Sequence, residues 1–280
     1  MPVSLVGGMP SPCGKSVGLR RGVRAPRLQG FRVFGWWMAS VLAAIAAAAS
    51  DSFAAESNAP FTPEADLRGE WAFTPDPRLP NVLILGDSIS LGYTRAVRAQ
   101  LQGKANVYRA MRGKAADNCG DTGIGLRKIE GWLGPQKWDV IHFNWGLWDL
   151  CYRNPQAKTQ GNRDKIGGKL SVPLPDYEAN LEKLVQRLER TGATLIWAST
   201  TIVPENEAGR FVGDDARYNA VAARVMQRHG IATDDLYGLT KRFGGRYAKA
   251  AGDVHFTPEG YERIATQVAA AIAEACAKRK

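Results

Sequence analysis

From Asn81 onward, short apolar or β-branched runs alternate with stretches whose apolar residues recur at helical spacing. This alternation restricts the fold more than any other feature of the chain. The apolar runs are NVLIL from 81, NVYRA from 106, DVIHFN from 139, ATLIWAST from 193 and a short GIAT from 230. Between and after them, helical patterns cover roughly 91–101, 122–133, 177–190, 214–229 and 258–277. Strands that are apolar on both faces must be covered on both faces, and strands separated by helices pair in parallel. The expected architecture is therefore a doubly wound α/β fold with a central parallel sheet. Folds of this kind hold their ligands beyond the carboxyl ends of the strands. Two connections at that edge are longer than such crossovers need: residues 152–175, with five basic side chains against one aspartate, and residues 203–214. Both are candidate pocket walls or solvated insertions.

The first strand ends at that edge on Gly86-Asp87-Ser88, and a helical pattern follows. A serine at a strand-to-helix corner has two readings. It is an N-cap, the commonest reason for serine at a helix start, or it is a nucleophile whose oxyanion would face the free N–H groups and positive end of the helix. The nucleophile reading requires a base. The chain has three histidines. His229 precedes Gly230 at a helix end, where dipole and stop signal explain it. His142 alternates with Ile141 and Phe143 inside a strand and reads as packed. His255 lies in AGDVHFTPEGY, a loop before the last helix, with Thr257 as cap, Pro258 at the first helical position and Asp253 two residues upstream. A carboxylate there can hold the imidazole tautomer and stabilise the imidazolium. The expected catalytic set is thus Ser88, His255 and Asp253.

The amino-terminal third differs from the rest. Residues 1–33 carry six basic and no acidic side chains, an apolar stretch follows from Phe34 to Ala49, and Ser52 and Ala54 supply small residues for cleavage. This reads as a signal peptide over residues 1–54, with an uncleaved membrane anchor as the other reading. A proline-rich lead-in spans 55–79 and a catalytic domain 80–280. Removing residues 1–54 lowers the formal net charge from +10 to +5, so most of the basicity belongs to targeting and nucleic acid is not an expected partner. The expected location is secreted or periplasmic, with no stable membrane insertion after cleavage. Of four cysteines, Cys119, Cys151 and Cys276 remain. No cysteine or histidine spacing suggests zinc, and neither metal nor cofactor is expected.

The GDSIS start, the central GLWD segment and the Asp/His pair before the last helix resemble the GDSL or SGNH hydrolase superfamily over about residues 80–275. The resemblance implies a flavodoxin-like three-layer α/β/α sandwich, the SGNH hydrolase fold, and metal-free hydrolysis of esters or thioesters. It carries the nucleophile onto Ser88 and the base onto His255. An oxyanion hole is implied from the N–H groups of Ser88 and of Gly120, in NCGDT. Two departures stand out. The third motif usually reads G-x-N-D with an oxyanion-binding asparagine, whereas here Trp148 holds that place, so Asn144 is expected to substitute unless it only satisfies backbone groups at the strand end. The motif aspartate usually lies three residues before the histidine, and here Gly252 holds that position.

Trp145 and Trp148 are expected to form a platform for sugar rings, with core packing the alternative for one of them. Asp149 is a candidate for substrate contact, for orienting Asn144 or for capping the next loop. Cys119 and Cys151 both belong to segments at the same sheet edge and are expected to pair. Such a disulfide would close a loop of about 30 residues, worth about 3 kcal/mol in the chain-entropy view. The expected substrate is an ester, foremost an O-acetyl group on carbohydrate. The alternatives are a lysophospholipase or thioesterase of the same superfamily, or a catalytically silent carbohydrate-binding protein.

Overall fold

The computed structural model describes residue 71 and residues 73–278. The expected leader over 1–54 and most of the lead-in lie outside the described residues. Five parallel strands form one sheet: β1 (Asn81–Leu85), β2 (Asn106–Arg109), β5 (Val140–Phe143), β8 (Thr194–Ala198) and β9 (Ala232–Asp234), in the order β2-β1-β5-β8-β9. Two short antiparallel ladders stand apart from it, β3 (Met111–Arg112) with β4 (Ala115–Ala116) and β6 (Tyr152–Arg153) with β7 (Lys169–Leu170). The helices are α1 (Ser88–Gln100), α2 (Thr122–Leu133), α3 (Leu174–Glu189), α4 (Asp214–His229), α5 (Leu236–Arg242) and α6 (Pro258–Ala277). The doubly wound expectation holds. Chain direction across the sheet reverses between β1 and β5, so the crevice where such folds take ligands opens beyond the carboxyl ends of these two strands.

The strands are buried because both faces are covered. Val82, Leu83, Ile84 and Leu85 are all fully buried, as are Val140, Ile141 and Phe143. Helices α1 and α6 pack together, while α2, α3 and α4 pack in succession. Close approach of α1 to α6 depends on Gly92, where a Cβ would overlap the Tyr261 ring. That contact sets the distance between the helix that follows Ser88 and the helix that follows His255. The end of the lead-in is anchored too. Asp76 N donates to Asn106 Oδ1, Arg98 Nη1 donates to the Trp71 carbonyl, and the Phe73 ring meets the edge of Tyr108 with centroids 4.8 Å apart.

Helices α2, α4 and α6 have the extents their periodicity predicts. Helix α1 starts three residues earlier than the apolar spacing suggested, and α5, only seven residues long, carries too little periodicity to be read from sequence. Among the described residues no helix is long and apolar enough to cross a membrane.

Candidate active site

The early start of α1 removes the capping reading of Ser88. Asp87 is the N-cap, its carboxylate accepting from Ile89 N at 2.9 Å. Ser88 is therefore the first helical residue, and its hydroxyl is not used as a cap. Burial pushes the Asp87 carboxyl upward, against the opposing pull of the Ile89 N–H. The Ser88 Oγ instead lies 2.8 Å from His255 Nε2, and His255 Nδ1 lies 2.6 Å from Asp253 Oδ1. Asp253 also accepts from the His255 backbone N–H at 3.0 Å. Burial raises the Asp253 carboxyl, but these two hydrogen bonds outweigh it and hold the group below its ordinary value. The two-residue spacing works because one carboxylate oxygen serves both the ring and the main chain of the same histidine. Gly252, at φ 70°, lets the loop turn there against the Asn206 and Glu207 backbone.

The strand end beside Ser88 is bound to the loop 117–120. Cys119 N donates to Gly86 O at 3.1 Å and Gly86 N donates to Cys119 Sγ at 3.3 Å. Arg109, fully buried at the end of β2, spans the same junction. Its Nη2 donates to Gly86 O and to Asp117 O, and its Nη1 to the hydroxyls of Ser90 and Thr94. One guanidinium thus satisfies carbonyls on both segments, a fork that lysine could not reproduce. Nothing in the sequence marked Arg109 for this role except its odd place in an otherwise apolar strand.

Several expectations need correction. Gly120 does adopt a positive φ of 60°, but its N–H donates to Asn118 Oδ1 at 3.0 Å. Asn144 spends its amide hydrogens on Ala198 O at 2.8 Å and Thr200 Oγ1 at 3.2 Å, so it ties β5 to the end of β8 as the backbone-satisfying alternative held. Trp145 is fully buried beneath the loop, its Nε1 donating to Cys119 O, and so belongs to the core rather than to a sugar platform. Trp148 is half-buried, with the Arg153 guanidinium 4.4 Å from its ring centre. Asp149 is fully buried and meets no solvent. Its Oδ1 accepts from the N–H and the hydroxyl of Thr122, the first residue of α2, so it fastens the start of that helix.

The expected disulfide is absent: Cys119 and Cys151 are both free, buried thiols. They face different partners. Cys119 sits against Gly86, while Cys151 lies by the Tyr152 carbonyl, near Gly209. Proximity of the two segments at one edge did not bring the side chains together. Burial pushes the Cys119 thiol up to about 12, which keeps it protonated and unreactive. Cys276, in α6, is also free.

The two long loops are joined by one buried carboxylate. Glu207 Oε1 accepts from Arg163 Nη1 at 2.7 Å and Arg210 Nη1 at 2.9 Å, and Oε2 accepts from Gly209 N at 2.6 Å. Arg210 Nε donates to Leu147 O, in the GLWD segment. Glu207 thus ties the two loops to each other, and Arg210 ties them to the GLWD segment.

Burial drives the Asp149 carboxyl up to about 8, against the lowering effect of the Thr122 bonds, and its Oδ2 is buried without a partner. In the unfolded chain this group titrates near its ordinary 3.8. The folded state keeps the proton longer, so the stabilisation is complete below about pH 4 and is lost as pH rises through about 8. Asp149→Asn keeps an acceptor for Thr122 and cannot ionise. Thermal melts across pH 5–9 should show the melting temperature of the native protein falling more steeply with pH than that of Asp149→Asn. Parallel curves would refute the assignment.

A family model for GDSL-like lipases and acylhydrolases matches residues 84–263, nearly the whole span from the end of β1 into α6. The chain belongs to that family. This GDSL hydrolase is accordingly a carboxylic ester hydrolase, on the SGNH fold that the resemblance implied. Among solved structures it is similar to the acetyl xylan esterase AlAXEase, at 14% identity over 69% of this chain and 99% of that one, with a TM-score of 0.55. It is similar to a lipase/acylhydrolase from Enterococcus faecalis, at 17% identity, coverage of 70% and 96%, and a TM-score of 0.55. The acetylxylan esterase Axe2 from Geobacillus stearothermophilus matches at 16% identity, coverage of 68% and 92%, and a TM-score of 0.51. At these identities the likeness concerns the fold. No curated protein matches the chain.

Proposed function

We propose that this GDSL hydrolase is an exported serine esterase that removes O-acyl groups, foremost acetyl, from carbohydrate. The observation that carries the reading is the hydrogen-bonded line from Ser88 Oγ through His255 to Asp253. In this mechanism His255 Nε2 takes the Ser88 proton as Oγ attacks the ester carbonyl carbon. The carbonyl oxygen becomes an oxyanion beside the Ser88 N–H and the 118–120 loop. Collapse expels the alcohol, which receives the proton from the imidazolium, and leaves an acyl-serine. Water, deprotonated by the same histidine, attacks the acyl-serine and releases the acid. Asp253 stays ionised and holds the imidazolium.

Carbohydrate is favoured by the half-buried Trp148 under Arg153 and by the polar, basic loop 152–175. Two of the similar solved structures are of acetyl xylan esterases. Export rests on the leader-like residues 1–54. A second reading, a lipid or long-chain ester, is favoured by Ile166, Phe211 and Val212, the exposed large apolar side chains of the two loops.

A chain-length series of p-nitrophenyl esters, followed by acetylated xylan and acetylated oligosaccharides, separates the two. Preference for acetate over octanoate by about tenfold or more, with acetate released from glycan, is expected. Rising activity with chain length would move the assignment to lipid.

A further inference from the structure

Two of the three donors expected to bind the oxyanion are occupied. The Asn144 amide is spent on Ala198 and Thr200, and the Gly120 N–H points to Asn118. Trp148, at the place of the motif asparagine, offers no amide. A hole made from the Ser88 N–H alone would be a weak one, since preorganised donors supply much of the rate in acyl transfer. The geometry points to the side-chain amide of Asn118 as the missing donor, an assignment that rests on the serine-esterase reading above.

Three observations carry it. Both sequence neighbours of Asn118 are tied to the strand end that leads into the nucleophile: the carbonyl of Asp117 and that of Gly86 share one Arg109 nitrogen, and Cys119 is bound to Gly86 through both its N–H and its sulfur. Gly86 is two residues from Ser88. Second, the amide orientation is determined. Its Oδ1 accepts from Gly120 N, which can only donate, so the oxygen is turned toward the loop and Nδ2 away from that bond. This Asx turn needs a glycine at its third position here, where φ is 60°. Third, Nδ2 makes no hydrogen bond among the described residues, while the side chain is only half-buried.

An amide locked by its oxygen, with its hydrogens unspent at the rim of the serine corner, is a preorganised donor. It would strengthen as charge builds on the carbonyl oxygen, because Gly120 N–H bonding to Oδ1 polarises the amide. The sequence did hold a signal: asparagine two residues before a glycine that must turn.

The test uses two substitutions with opposite consequences for a purely structural role. Asn118→Asp keeps the oxygen that accepts from Gly120 and replaces the donor with a second acceptor. Asn118→Ala removes both. With p-nitrophenyl acetate, both variants should lose about 10²-fold in kcat, with KM changed by less than about threefold. Asn118→Asp should melt within a few degrees of the native protein. The rate of Ser88 phosphorylation by diethyl p-nitrophenyl phosphate should fall in parallel, since it uses the same hole. If Asn118→Asp keeps native kcat while Asn118→Ala loses it, Asn118 only shapes the loop and the inference fails. It fails equally if neither variant changes. A native chain that shows no Ser88-dependent turnover and no phosphorylation overturns the esterase reading itself, and the inference with it.

Discussion

Ser88→Ala is expected to lower kcat for p-nitrophenyl acetate by about 10⁴-fold or more, with little change in KM, and His255→Ala should do nearly as much damage. The reason lies in the 2.8 Å contact between Ser88 Oγ and His255 Nε2. In the proposed mechanism the two groups perform one proton transfer, so removing either removes the whole step. The double variant should accordingly be no slower than the worse single one, and additive losses would show that the two act separately. Asp253→Ala should cost less, roughly 10³- to 10⁴-fold, because it removes the group that orients the ring but leaves nucleophile and base in place. Retention of more than a hundredth of native activity by Ser88→Ala would remove the nucleophile from this serine. The measurement is a steady-state titration of substrate with each purified variant, checked for folding by circular dichroism.

The second large effect is on stability. Glu207 is fully buried, and its carboxylate faces Arg163, Arg210 and the Gly209 N–H. Glu207→Ala leaves two guanidinium groups sharing a pocket without their counter-charge, and Arg210 is itself almost wholly buried. Breaking a buried pair in this way costs about 3–5 kcal/mol, or roughly 6–20 °C in melting temperature for a domain of this size. Glu207→Gln keeps the volume and one acceptor and should cost less. The loss should reach the active site as well, because Arg210 holds the Leu147 carbonyl and the Glu207 backbone packs against Gly252, next to Asp253. A melting temperature unchanged in Glu207→Ala would mean that the two arginines find water or other acceptors without penalty.

Much of the fold, and the proposed triad with it, is legible in the sequence. Ser88, Asp253 and His255 are legible as candidates because each depends on local signals: an apolar run that stops, a helix that starts, a carboxylate two residues from a histidine. What failed depended on which atoms meet across the sheet edge. Asn144 and Cys119 lie in the right segments, yet side-chain hydrogen bonds and sulfur contacts are chosen from among neighbours that no local pattern reveals. Trp145 is ambiguous in sequence, since a tryptophan at a strand end is equally compatible with core and surface until its neighbour Gly125 on α2 makes room for it.

The sequence by itself determined the parallel α/β architecture, the approximate positions of its longer helices and the serine and histidine proposed for the chemistry. These follow from periodicity and from the few residues able to do the chemistry. Only the tertiary structure decided that Asp87 rather than Ser88 caps α1, and that Asp253 reaches His255. It likewise spent the Asn144 amide inside the sheet edge, left Cys119 and Cys151 apart, and drew Arg109 and Glu207 in as buried charges that hold the corners together. Periodicity is carried by neighbours along the chain, whereas hydrogen-bond partners and buried counter-charges are set by distances between segments far apart in sequence.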